Sequence, residues 1–190
     1  MSTGYQIKDQ ESAYYLTLQI VHWVDIFSRK IYRDIVIDSL KYCKKEKGLE
    51  IYAYVIMSNH IHLLARGGNG NLSGILRDFK RHTSKRIIEV VQQKEESRRE
   101  WLLMIFKYAA RKHKRNNNYQ VWTHENRAVE IFSNKFIEQK IDYIHNNPVV
   151  SGIVVNAADY LYSSARNYAD LESVLDDRSI EGGKLIKNSS

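Results

Sequence analysis

Apolar and polar positions follow two rhythms along this chain, and the changes of rhythm mark its elements. AYYLTLQIVH, at 13–22, is a β-branched and aromatic run with the composition of a strand. In 31–47, Ile31, Ile35, Leu40 and Cys43 recur at near-helical spacing, and Gly48 stops the helix. LEIYAYVIM (49–57) is a second strand and Ser58-Asn59 a turn signal. HIHLLAR (60–66) is a third strand, closed by Gly67-Gly68-Asn69-Gly70-Asn71. Leu72, Ile75, Leu76, Phe79, Thr83, Ile87, Val90 and Val91 predict a helix over 72–91. A further helix is predicted over 98–113, then a polar loop at 114–118 and a short strand or extended piece around YQVW (119–122). Phe136, Ile137, Lys140 (through its stem), Ile141 and Ile144 line one side of a helix over 134–146. Pro148 is expected to end it, because a residue before proline avoids the helical region. Residues 159–168 form one more short element. This order predicts an α+β fold: an antiparallel sheet with helices packed on one face.

At 190 residues the chain fits one domain, with 1–170 as its body and 171–190 as a flexible C-terminal tail. Apolar residues are 43% and charged residues 27%, which excludes wholesale disorder. The lone cysteine, Cys43, excludes an internal disulfide and a Cys-rich zinc site, and it suits a reducing, cytoplasmic setting. MSTGYQIKDQESAYY lacks the basic start and apolar core of a signal peptide. No run approaches the ~18 apolar residues that span a bilayer, so no membrane partner is expected.

The net charge is +7, and its placement says more than its size. Residues 77–118 hold 13 of the 29 Lys and Arg but only 5 of the 22 Asp and Glu. The rest of the chain carries one more acid than base. A concentrated excess of this kind reads either as a phosphate-binding face or as solvated helix surface.

Two places have the residue types of a reaction centre. His60 and His62 are two apart on a predicted strand, so both imidazoles leave the same face. They could grip one metal ion or one phosphate, or simply face water. In the last long helix, Tyr143 lies off the apolar stripe, as surface tyrosines do, and this chain has 13 tyrosines. Asn147, four residues on, faces the same way if the helix lasts that far.

The string YVIMSNHIHLL, followed by DYIHNNPVVSGIV and DYLYSSARNY, resembles the single-tyrosine HUH transposases, and among them the REP-associated tyrosine transposases. The resemblance runs from about Tyr14 to Tyr168. It departs at Ser58, where many relatives have proline, and at Asn126-Arg127-Ala128, where relatives often have an Asn-His-Pro-like piece. The resemblance implies a ferredoxin-like, RRM-type core and a transposase domain over 1–170. It implies metal-dependent cleavage and rejoining of single-stranded hairpin DNA. His60 and His62 would be metal ligands, Asn147 the third ligand and Tyr143 the nucleophile that keeps a 5′-phosphotyrosine. The metal would be Mg²⁺ or Mn²⁺, with two imidazoles favouring Mn²⁺. The implied partner is single-stranded or hairpin DNA, bound by Arg77, Lys80, Arg81, Lys85, Arg86, Arg111, Lys112 and Arg115. A homodimer and a monomer are both compatible with it, and the setting would be cytoplasmic, at the nucleoid when on DNA. Trp101 and Trp122 are either core residues or stacking platforms for unpaired bases. The rival reading is a non-cleaving nucleic-acid-binding module on the same fold.

Overall fold

A computed structural model describes residues 6–111 and 118–175. The strands β1 (Tyr14–Gln19), β2 (Leu49–Ile56) and β3 (His60–Gly67) lie where the sequence places them. A two-residue β4 (Val129–Glu130) completes an antiparallel sheet in the order β2-β3-β1-β4. With α1 (Lys30–Lys47) between β1 and β2, and α2 (Leu72–Val91) between β3 and β4, this is the ferredoxin-like βαββαβ plan. A third helix, α3 (Arg99–Arg111), is inserted after α2, and α4 (Asn134–Val150) follows β4. The element expected at 159–168 includes a short helix, α5 (Ala165–Tyr168).

Local chemistry sets these boundaries. Gly48, at φ 70°, takes the left-handed turn that ends α1. The Asn71 side chain accepts from the Gly74 N–H at 3.2 Å and caps the start of α2. The Ser58-Asn59 turn works without proline because its carbonyls are held: Ser58 by the Phe27 N–H (2.9 Å) and Asn59 by the Ile20 N–H (3.0 Å).

The sheet is covered on both sides. Leu16, Leu18 and Ile20 share one face of β1, and Trp122 bridges to Ile20. The Trp122 ring meets Phe79 of α2, and its Nε1–H donates to Thr83 Oγ1 at 2.9 Å. So α2, with α1 packed beside it, forms the expected helical layer on that face. The other face carries Tyr15, Thr17, His60 and His62, and α4 crosses it, since Tyr143 meets the rings of Tyr15 and His62.

Three boundaries differ from the sequence reading. Pro148 does not stop α4, which runs to Val150. Proline removes a single donor, and the ladder resumes beyond it, with Ser151 N–H donating to the Asn147 carbonyl at 3.0 Å. The helix ends at Gly152 (φ 70°) in a Schellman closure: Gly152 N–H reaches Val149 O and Ile153 N–H reaches Pro148 O, both at 2.9 Å. The short strand of this region is β4 at Val129–Glu130, where none was expected, while YQVW is the extended piece. It is tied to β1 by Val21 N–H to Val121 O and Thr123 N–H to Gln19 O. Residues 171–175, placed in the tail, are held to the body: Leu175 is buried and its carbonyl accepts from Asn167 Nδ2. Residues 176–190 lie outside the described residues.

Candidate active site

The β1–β3 register puts Thr17 opposite His62 and Gln19 opposite His60, so both imidazoles rise from one face beside β1. Their Nε2 atoms are 3.1 Å apart. His60 Nδ1 is 2.6 Å from Asn59 Oδ1, an acceptor, which places the His60 proton on Nδ1 and leaves Nε2 as a lone pair. His62 Nδ1 lies 2.8 Å from the Tyr15 hydroxyl and 3.1 Å from Thr17 Oγ1. Burial holds the His60 imidazole below its ordinary range. His62 is pulled down to about 3, by burial first and then by the charges of His60 and Lys140. Both rings are therefore neutral at pH 7.

This donor set fits a cation. With His60 Nε2 unprotonated, the short Nε2–Nε2 contact needs either a proton on His62 Nε2 or a positive ion between the two lone pairs. Were an ion held by the two Nε2 lone pairs, the His62 proton would belong on Nδ1, within hydrogen-bond distance of the Tyr15 and Thr17 hydroxyl oxygens. Oxygen acceptors behind ligating imidazoles fix ring orientation and tautomer. Among the described residues no group of three or more His, Cys, Asp or Glu side chains forms a metal cluster. A complete coordination shell therefore needs other donors, such as an amide, water or a phosphate oxygen.

Tyr143 stands over His62 and Tyr15. Its ring centroid is 5.3 Å from that of His62 and 6.1 Å from that of Tyr15, edge-on to both, while the residue stays 51% exposed. Lys140, one turn earlier on α4, holds its ammonium over the Tyr15 ring at 4.6 Å and the Phe136 ring at 5.0 Å, and 5.9 Å from the Tyr143 ring. Its stem is on the apolar side of α4, and its charge is near enough to the neutral His62 imidazole to disfavour a second positive charge there. Burial raises the Tyr15 hydroxyl well above an ordinary tyrosine, so Tyr15 stays a protonated phenol.

The structure thus brings together His60, His62 and Tyr143. Asn147 lies one turn beyond Tyr143 on an unbroken helix, but no hydrogen bond joins it to either imidazole among the described residues. The basic candidates divide. Arg77, Arg81, Lys85 and Arg86 are exposed on α2, across the sheet from the histidines; the first three are loosely paired with Asp78 or Glu89, and Arg86 donates to Glu89 at 2.7 Å. Lys80 turns inward: its ammonium donates to the carbonyls of Thr123 (2.9 Å) and Glu125 (3.4 Å), and burial lowers it to about 8. It is a tether for the extended segment, not an open phosphate contact. Arg111 is exposed at the end of α3, and Lys112 and Arg115 lie outside the described residues. Trp122 is core, and Trp101 is partly exposed on α3.

Sequence reasoning missed Tyr15, Thr17, Asn59 and Lys140. The alternation of β1 puts Tyr15 and Thr17 on one face, but only the strand register reveals which face the histidines share.

Fold and site together define a ferredoxin-like α+β domain with a paired-histidine strand and a tyrosine-bearing helix set over it. The family model for IS200-like transposases matches residues 13–147, from just before β1 to Asn147. The chain belongs to that family. Among solved structures it is similar to a REP-associated tyrosine transposase bound to a REP hairpin, with a TM-score of 0.58 and 18% identity over 96% of each chain. No curated protein matches it. No helix among the described residues is long and apolar enough to cross a membrane.

Proposed function

We propose that this transposase-family protein cleaves and rejoins single-stranded DNA through a covalent bond to Tyr143, with a divalent metal held by His60 and His62. The observation that carries this reading is the convergence of three groups on one sheet face: two neutral imidazoles with Nε2 atoms 3.1 Å apart, and a half-exposed phenol edge-on to one of them.

The Tyr143 oxygen attacks a phosphodiester phosphorus, forming the P–O(Tyr) bond and breaking the P–O3′ bond. The phenol gives up its proton and the departing 3′ oxygen gains one. The 5′-phosphate stays on the protein, so a later 3′-OH can displace Tyr143 and restore the backbone without a nucleotide cofactor. A bound Mg²⁺ or Mn²⁺ would polarise a non-bridging phosphate oxygen. Asn147, one turn beyond Tyr143 on α4, would be a further oxygen donor to that ion. Lys140 adds a positive charge where the phosphate gathers negative charge. The REP hairpin bound by the similar solved structure supports hairpin DNA as the substrate class here.

The test is a denaturing gel of the protein with end-labelled hairpin DNA carrying single-stranded flanks, in Mn²⁺ or in EDTA. The reading expects an adduct on the 5′-phosphate side, dependent on metal and lost in Tyr143→Phe. Tight binding without an adduct, across hairpins from the neighbouring genome, would leave the non-cleaving binding module as the function.

A further inference from the structure

Between β1 and α1 the chain makes a turn that no local preference explains. His22 and Trp23 are consecutive non-glycine residues with φ of 54° and 58°. That region is unfavourable for bulky L-residues, and such outliers persist only when the surroundings impose them. The surroundings here are specific. Asn59 Nδ2 donates to the Trp23 carbonyl at 3.4 Å, and the same amide's Oδ1 accepts from His60 Nδ1. The turn therefore holds a large indole out of the core. Trp23 is 55% exposed, and its ring stands edge-on to His60, 6.3 Å between centroids. On its other side the turn borders open space, since His22 and Thr17 line a cleft of about 370 Å³ on the histidine face. A tryptophan that served only packing would be turned inward, as Trp122 is.

We propose that Trp23 is a stacking platform for an unpaired base of the DNA strand lying in the site, and so a positioning residue that aligns the strand beside the His60–His62 pair. The inference rests on the single-stranded DNA reading above and adds the residue that grips the base. Bases stack on exposed aromatic faces with little sequence preference. One platform beside the metal ligands fixes the distance between a base and the phosphate next to it. The Asn59 amide links the platform to the ligand: the group that orients the His60 ring also anchors the Trp23 backbone.

The experiment is fluorescence anisotropy in EDTA with a labelled 20-nucleotide thymidine strand and an abasic strand of the same length. It needs no cleavage, and adduct formation is scored separately on the denaturing gel. Wild type is expected to prefer the thymidine strand. Trp23→Ala should lose about five-fold or more of that preference, and Trp23→Phe should retain part of it. Trp23→Gly separates platform from scaffold, because glycine accepts the positive φ. It should melt at or above the wild-type temperature while binding the thymidine strand as poorly as Trp23→Ala. A wild type without preference for bases, an unchanged preference in Trp23→Ala, or a lowered melting temperature in Trp23→Gly would each overturn the proposal. Failure of the wild type to form an adduct would instead overturn the cleavage reading and leave the anisotropy result standing.

Discussion

At the residue scale the site works through neutrality. Burial strips water from His62 and His60 and disfavours their charged forms, so their lone pairs remain available where a free imidazole would be partly protonated. His145 is buried against Ser164 and Tyr168 and is pulled down to about 4 in the same way. These histidines bind protons in the unfolded chain at pH values where they do not in the folded one. The folded protein should therefore lose stability in EDTA as pH falls from about 6.5 toward 4, read as a falling melting temperature. His145→Gln should flatten that slope without touching the site. For Tyr143→Phe the removed hydroxyl belongs to a half-exposed residue. Its stability should stay within about 0.5 kcal/mol of wild type while adduct formation disappears. Lys140→Met keeps the apolar stem over Phe136 and Tyr15 and removes the charge. It should slow adduct formation by about ten-fold or more with little loss of stability, measured by single-turnover kinetics beside thermal melts.

At the element scale, α4 shows both the reach and the limit of reading a sequence. Its apolar stripe and the place of Tyr143 off that stripe were legible from spacing, while the choice of this tyrosine among 13 came only through the resemblance. The end of α4 was not legible. A rule about the residue before proline predicts a stop at 146, yet the helix absorbs the proline and closes at Gly152, because the Schellman bonds satisfy the carbonyls that follow. That extra turn keeps Asn147 in phase with Tyr143. Gly152→Ala meets no atom within 4 Å, so its cost is conformational and should be about 1 kcal/mol in urea unfolding. Helix α2 gives the contrasting case. Five basic residues look alike in the sequence, but tertiary contact separates Lys80 from the rest. Lys80→Ala should release the 119–126 segment and destabilise the protein by about 1–3 kcal/mol, whereas Arg77→Ala and Arg81→Ala should leave stability unchanged. If those two arginines meet phosphates, each substitution should lower the salt slope of DNA binding by about 0.7–0.9.

At the scale of the whole molecule, the first five elements, β1 to α2, were readable because the rhythm of apolar positions changes between them, and the histidine pair because two is the period of a strand, whereas β4 (Val129–Glu130) is too short to carry any period. What pairs with what was not readable. The partners of His62 come from β1, more than forty positions earlier, and Tyr143 arrives from a helix on the far side of β4. The β1–β3 register therefore carries more than stability. A slip of β3 by one residue against β1 would not loosen the centre by degrees. It would invert β3, sending both imidazoles into the layer of α1 and α2 and turning Ile61 and Leu63 toward Tyr143. The site has only two settings along this strand, present or absent, and substitutions can tune it where a slip of one residue cannot.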